Sequence, residues 1–437
     1  MKGRLTLAFG FLALIAVGAV VLSTPWARAA GTWGSWSDAA FTACSAVCVT
    51  GLSVVDIGRE YSFAGQVVLL SLVEVGALGL MALGTFLLVA VGRRLSYASE
   101  FSLMNAYGVA EVRGVRGLLA WIVGSMLVIE GVGAGLLYCR LHDWYLSVFF
   151  SVMSFCNAGF SIYADSLARF ADDPFVLATL AVETILGGIG FLVIYNLCTF
   201  KFLRRKSGAR GRISLHTSVV LRFSFYLLAI TLAVFLLCEW NGALKGFAWA
   251  KKLWVAFYHA VTPRSCGFSV LPLETLNVTT LQVYVVQMFI GGAPGSVAAG
   301  IKVTTLAVLI YTILAMCRGE SETVISRRVV SYDVVRESIV IVVALLLLGN
   351  LLAGVLIAIE PRAGDSDFRL FFEAMSAVTT TGLSVGDTTA RLSQAGRVAV
   401  MVGMFCGRLG ALTVVLMIGA RESKRLVRYP YEEIVVG

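Results

Sequence analysis

Charge is scarce in this chain: of its 437 residues, Asp, Glu, Lys and Arg together make up only 14%. A soluble domain carries about 25% charged residues, and disorder requires high charge density with few apolar residues. Both classes are excluded. Histidine is almost absent, with His142, His216 and His259 far apart in sequence, so neither metal-ligand spacing nor a convergent catalytic set can be read. No glycine-rich phosphate loop with its Lys-Ser/Thr pair follows a strand, and nucleotide binding must come from a partner. The nine cysteines are odd in number and spread along apolar segments, which gives no disulfide framework. What the chain has in excess is apolar surface, at 58% hydrophobic residues, together with a formal charge of +9. In a soluble protein that charge would suggest nucleic acid. Here the basic residues mark the cytoplasmic connections of an integral membrane protein.

Apolar runs near 5–23, 66–91, 117–139, 175–200, 214–238, 279–317, 337–359 and 394–420 reach the roughly 20 residues that a crossing needs. Their connections alternate between short basic ones and longer, half-apolar ones rich in Gly and Ser. With both termini on the basic side, that side holds 20 Lys and Arg and the other 12. The expectation is eight crossings with both termini in the cytoplasm. Ala27-Arg28-Ala29 resembles a signal-peptidase site, but the apolar run before it is longer than a usual signal core of 7–15 residues, which favours a retained helix.

The half-apolar connections carry an internal repeat. Val49-Thr50-Gly51-Leu52-Ser53, Asn157-Ala158-Gly159-Phe160-Ser161, Ser265-Cys266-Gly267-Phe268-Ser269 and Thr380-Thr381-Gly382-Leu383-Ser384 align, with their glycines 108, 108 and 115 residues apart. Ten positions before each glycine stands a Phe (Phe41, Phe149, Phe257, Phe372), and two after it a Ser. A fourfold tandem repeat follows, with units at 1–92, 112–206, 213–318 and 336–428 and a tail at 429–437. Each connection has only 10–12 apolar residues before its glycine, too few to cross. It reads as a re-entrant half-helix followed by extended backbone, tolerated at membrane depth only inside protein or against water. The fold class is thus an all-α membrane protein of four span–pore-helix–span units around a central pore, with eight transmembrane helices and four pore helices. Four such strands place carbonyl oxygens in a ring that can replace the hydration shell of a monovalent cation, with half-helix C-termini adding partial negative charge. Candidate ion-binding residues are Val49, Thr50 and Gly51; Asn157, Ala158 and Gly159; Ser265, Cys266 and Gly267; and Thr380, Thr381 and Gly382. One Gly-Xaa-Ser alone is an ordinary turn, but four in matched positions form a filter.

The sixth apolar run is anomalous, with Gly291, Gly292, Ala293, Pro294, Gly295, Ser296, Gly300, Lys302, Thr304 and Thr305 inside it. Such a composition does not form a continuous lipid-facing helix, and the segment 291–305 reads as an irregular loop beneath the filter. Arg408 falls in the same frame when Gly187-Gly188, Gly291-Gly292 and Gly407-Arg408 are aligned. An intramembrane guanidinium is functional by default, and Arg408 is read as bonding loop carbonyls and repelling cations, so that it holds a gate closed. The competing reading pairs it with Glu74, Glu130 or Glu183. For those three, a structural contact to the pore helices is favoured over proton relay or coupling-ion binding, and His259 reads as a packing residue.

The four repeats, the glycines at 51, 159, 267 and 382, and the tail Tyr429-Pro430-Tyr431-Glu432-Glu433 resemble the Trk/Ktr/HKT potassium transporters over essentially the whole chain. Trk-type subunits usually carry two further N-terminal helices that are not found ahead of the first run here, so the resemblance is to the shorter, KtrB-like membrane subunits. It implies K⁺ uptake across the cytoplasmic membrane, often Na⁺-dependent, with K⁺ at the filter strands and no organic cofactor. The sixth run corresponds to the family's intramembrane gating loop. The resemblance also implies a homodimer seated on a cytosolic nucleotide-binding ring of the KtrA/TrkA type. The basic loops and tail would contact that ring and membrane lipids, not nucleic acid. In plant relatives a Ser at the first filter glycine favours Na⁺; Gly51 therefore favours K⁺. The unequal strands predict weaker discrimination than a symmetric channel's. An alternating-access K⁺/Na⁺ symporter is the rival reading, disfavoured because two-span repeats all enter from one side.

Overall fold

The computed structural model describes residues 2–92, 114–206, 213–360 and 367–410. The Tyr429–Glu433 motif and most of the basic loops at 92–116 and 201–213 lie outside the described residues. Helix dominates. Four long helices each begin a unit: α1 (Lys2–Ser23), α4 (Gly114–Leu141), α8 (Leu215–Glu239) and α12 (Tyr332–Ile359). Each is followed by a short one: α2 (Trp36–Val47), α5 (Trp144–Phe155), α9 (Trp249–Val261) and α13 (Asp367–Val378). A closing helix or broken helix ends each unit: α3 (Phe63–Gly92), α6 (Pro174–Ile189) with α7 (Phe191–Lys206), α10 (Val278–Phe289) with α11 (Val303–Cys317), and α14 (Gln394–Leu409). The described strands are β1 (Val324–Ile325) and β2 (Arg328–Val329), an antiparallel hairpin between α11 and α12. Its Ser326 and Arg327 both have positive φ, as a two-residue hairpin turn that matches strand twist requires.

The boundaries follow local chemistry. Ser35, Asp143, Asp173, Ser214 and Ser393 precede helices and accept hydrogen bonds from their first free N–H groups, and Pro174 sits where its missing N–H costs nothing. By length and apolarity Ala120–Leu141, Leu215–Glu239 and Tyr332–Ile359 each suffice to cross a membrane, as do α6 and α7 taken together. That last pair departs from the continuous run expected at 175–200: the axis turns by 96° at Gly190. Gly190 adopts φ +83°, a conformation other residues resist, and its neighbour Phe191 donates its N–H to the Gly295 carbonyl at 3.2 Å.

The short helices have 12 or 13 residues, about 18–20 Å at 1.5 Å per residue. α2, α5 and α13 each pack between the opening and closing helices of their own unit, while α9 packs on its opening helix α8 and touches its closing helix α10 through the His259–Tyr284 pair. Each also packs against the closing helix of the preceding unit: α5 on α3, α9 on α6, α13 on α10, and α2 on α14. That cyclic order brings the first unit against the last. The short helices form the core of the molecule, with Phe41, Phe149 and Phe372 fully buried and Phe257 half-buried. Long helices turn residues such as Leu237, Leu351 and Val128 outward instead. An apolar exterior around a core that holds buried Ser, Thr and Glu inverts the usual soluble distribution, as expected where lipid is the solvent.

Candidate functional site

After each short helix the backbone repeats one conformation. Val49, Asn157, Ser265 and Thr380 all have positive φ (53°, 56°, 73° and 47°), and so do Gly51, Gly159, Gly267 and Gly382 (95°, 64°, 81° and 84°). The residue between each pair does not. Left-handed backbone is uncommon outside Gly and is a genuine outlier for a β-branched residue such as Val49 or Thr380. Three of these four unusual positions are held by one device. The N–H of Thr50, Ala158 and Thr381 donates to the carbonyl five residues back, at 2.8, 2.9 and 2.9 Å. Cys266 instead donates to Thr262, four residues back, at 3.0 Å, because α9 ends two residues earlier relative to its glycine. Turning alternate residues to left-handed φ brings successive carbonyls toward one side of the strand, which an ordinary β-strand does not do.

The four glycines close a ring. A Cβ on Gly51 would overlap the Ala158 carbonyl oxygen, one on Gly159 would stand 2.7 Å from the Cys266 oxygen, one on Gly267 2.6 Å from the Thr381 oxygen, and one on Gly382 would overlap the Thr50 oxygen. Each glycine thus faces the carbonyl that precedes the next, and the fourth faces the first. No other residue fits these positions. Above the ring opens a vestibule of about 360 Å³ to which all four segments contribute. The serines two positions after each glycine line it and tie down its turns: Ser53 donates to the Val55 carbonyl (2.6 Å), Ser161 to Ser166 (3.0 Å), Ser269 to Leu271, and Ser384 to the Glu373 carboxylate (2.7 Å). Asp56 and Asp387 also line it, each paired with an arginine of its own, Arg59 at 3.4 Å and Arg391 at 3.7 Å.

The closing helices pass close under the short helices. A Cβ on Gly76, Gly187 or Gly407 would overlap the last carbonyl of α2, α5 or α13 respectively (Val47, Phe155, Val378). In the third unit this position is the interruption between α10 and α11. There the N–H of Gly291 donates to Ile301 and that of Ile301 to Phe289, at 3.0 and 2.9 Å, so the chain leaves the helix and returns beside its own exit. The loop in between docks on the Gly190 break, with Ala293 N–H donating to Gly188 at 2.9 Å and Val297 N–H to Gly187 at 3.3 Å. It ends at Lys302; Val303 already begins α11, so Thr304 and Thr305 lie in that helix's first turn and not in the loop. Arg408 is 2% exposed, and its guanidinium donates to the Val297 carbonyl of the loop at 2.8 Å and to the Gly76 carbonyl at 3.0 Å. Lys302 donates to Ala298 at 2.6 Å. The loop is therefore held by Lys302 from within and by Arg408 from α14.

Half-buried Glu74 and buried Glu130 and Glu183 form one cluster. Oxygen or sulfur atoms of Glu74, Glu130 and Cys156 lie within 4.8 Å of one another, and Ser151 of α5 joins the Glu130 carbonyl (2.7 Å) to the Glu183 carboxylate. Their contact with a short helix runs through its hydroxyl and thiol. His259 is a packing residue: Nδ1 pairs with the Tyr284 hydroxyl and Nε2 accepts from Leu271 N–H, both at 3.0 Å. Sequence reasoning missed Gly76, since a single glycine in an apolar helix gives no signal. Arg264 falls between the apolar runs 214–238 and 279–317, among the 12 bases counted on the outer side, yet its guanidinium folds inward onto Ser224 and Gly291.

The TrkH family, described as cation transport protein, matches residues 19–429. The chain is 34% identical over 440 residues to Ktr system potassium uptake protein B of Bacillus subtilis (strain 168), covering 99% of this chain and 96% of that one. It is 30% identical over 444 residues to potassium/sodium uptake protein NtpJ of Enterococcus hirae, with the same two coverages. Among solved structures, the potassium transporter TrkH from Vibrio parahaemolyticus superposes with a TM-score of 0.77 at 16% identity, over 96% of this chain and 85% of that one.

Proposed function

The chain belongs to the TrkH family of cation transport proteins, an all-α multi-pass membrane transporter and not an enzyme, and from that premise we propose that it takes up potassium through the ring of glycines. The single observation that carries this reading is the ring itself: four strands with the same alternating left-handed backbone, each glycine against the carbonyl that precedes the next. Carbonyls of residues 49–51, 157–159, 265–267 and 380–382 then replace the hydration shell of a K⁺ ion. The ends of α2, α5, α9 and α13 contribute the negative ends of their dipoles. Four units, at 1–92, 112–206, 213–318 and 336–428, supply eight crossings and four re-entrant helices, with both termini on the cytoplasmic side of the cell membrane. The shortness of α2, α5, α9 and α13 and their cyclic packing support that architecture.

The gate is the segment 291–302, with Arg408 its latch. While the guanidinium bonds Val297 and Gly76, the loop stays folded on the Gly190 break, and the charge repels an approaching cation. Opening requires Arg408 to release the loop. A second copy of the chain and a cytosolic nucleotide-binding subunit control that release, and Na⁺ accelerates uptake; the relative named as part of a Ktr system supports a partner subunit, and the one named a potassium/sodium uptake protein supports the Na⁺ dependence. Rubidium flux into liposomes tests the whole reading, with wild type, Gly51→Ser and a deletion of 291–300. Wild type carries Rb⁺ in preference to Na⁺, Gly51→Ser narrows that preference, and the deletion raises flux. Absence of any flux in wild type overturns the pore, and unaltered flux after the deletion overturns the gate.

A further inference from the structure

A second cavity of about 310 Å³ lies between α6 and α8, apart from the vestibule. Its walls are apolar, with Ile185 and Ile189 on one side and Leu221 and Leu228 on the other, and Phe225, 66% exposed, stands at its outer edge. Gly188 leaves part of the wall open, since a Cβ there would meet nothing within 4 Å. At the inner end stands Arg264, the one charged residue of the lining. Its terminal nitrogens reach the Ser224 carbonyl at 3.4 Å, the Ser224 hydroxyl at 3.2 Å and the Gly291 carbonyl at 3.5 Å. These are long for a charged donor, and its buried Nε has no partner. A guanidinium at the end of an apolar slot, with no acid beside it among the described residues, is an anion site that lacks its anion.

We propose that this cavity binds a membrane-borne long-chain carboxylate, its head on Arg264 and its alkyl chain running out between α6 and α8 past Phe225. Charge complementarity selects a negative head, and the apolar walls select the chain. Depth selects a free carboxylate over a phospholipid. On the re-entrant reading above, α9 descends 13 residues before Arg264, about 20 Å of a hydrocarbon core about 30 Å thick. A bilayer phosphate does not reach that depth. A fatty acid crosses it as the neutral acid, and the guanidinium then favours the ionised form. The head draws Arg264 away from Gly291, the first residue of the gate segment. Occupancy therefore loosens one end of that segment and changes transport.

The test uses full-length protein in phosphatidylcholine vesicles with a diazirine-bearing palmitic acid, cross-linked sites being mapped by mass spectrometry. Saturable labelling within 184–189 and 221–228, displaced by oleate, is the expected result. Labelling falls about tenfold in Arg264→Gln, the worth of one charge-assisted hydrogen bond. Leu228→Trp, which fills the cavity and leaves Arg264 in place, produces a similar loss and answers the question if Arg264→Gln does not fold. Labelling spread over Phe225 and Leu237 alike and unchanged in both variants overturns the site. Displacement by phosphatidylglycerol as effective as by oleate overturns the choice of a free carboxylate. Labelling needs no transport, so a wild type without flux leaves it readable. In flux-competent vesicles oleate changes rubidium uptake in wild type and not in Arg264→Gln; saturable labelling with unchanged uptake overturns the link to the gate.

Discussion

The ring of glycines and the layer beneath it are built on opposite plans. In the ring, four segments with little side-chain likeness (Val49-Thr50, Asn157-Ala158, Ser265-Cys266, Thr380-Thr381) converge on one backbone conformation. In the layer beneath, four closing helices that begin from similar positions end differently. α3 runs through past Gly76, α6 turns by 96° into α7, α10 opens into a loop before α11, and α14 stops at Leu409 with Gly410 at φ +85°. Where backbone carbonyls do the binding, geometry must repeat and side chains are free to vary. If the segment 291–302 moves as proposed, repetition would oppose it, because four identical helices have no weak member.

Gly382→Ala combines a left-handed φ, costing about 1–2 kcal/mol for a residue with a Cβ, with overlap on the Thr50 carbonyl. Rubidium flux is expected to vanish while the protein still purifies as a folded species by size-exclusion chromatography. Gly31→Ala also places a Cβ at left-handed φ (+63° against +84°) but meets nothing within 4 Å, and it should retain flux at a stability cost of about 1–2 kcal/mol. Equal flux in the two variants would break the claim that ring closure, and not backbone strain alone, is what matters.

In the lower layer the expected effects are smaller and of opposite sign. Arg408→Gln removes a charge and weakens two bonds that join α14 to the loop and to α3. Bonds to charged groups contribute about 1.5–3 kcal/mol, so basal flux should rise by about tenfold in vesicles that contain the membrane subunit alone. A fall in flux would instead make Arg408 part of the conducting path. Lys302→Met breaks a bond confined to the loop, to Ala298 four residues away. It leaves the loop tied to α6 and α14, so basal flux should rise by no more than about threefold, the effect of under 1 kcal/mol. A rise larger than that of Arg408→Gln would move the latch from α14 to the loop.

Much of this was open to reading from the chain alone. Glycines recurring with Phe ten positions before and Ser two after marked the segments that the structure brings into one ring, because each unit had to solve the same backbone problem with the same small residue. The composition of 291–302 announced an interruption, since Gly, Pro and Lys do not sustain a lipid-facing helix. The bend at Gly190 was invisible: Ile189-Gly190-Phe191 sits inside an apolar run, and nothing local distinguishes a glycine that turns the axis from one that merely packs. Arg408 was marked by its place within an apolar run, but not the identity of its partners, which come from 111 and 332 residues away.

Sequence by itself determined the class of the protein, its apolar helices, its fourfold repetition and the positions where only glycine serves, because these follow from composition, period and backbone sterics. The tertiary structure alone decided that the fourth segment meets the first, that Gly76 and Val297 share one guanidinium, and that Arg264 turns inward to an apolar slot. Those are contacts between residues far apart in the chain, set by how whole helices pack, and no local pattern encodes them.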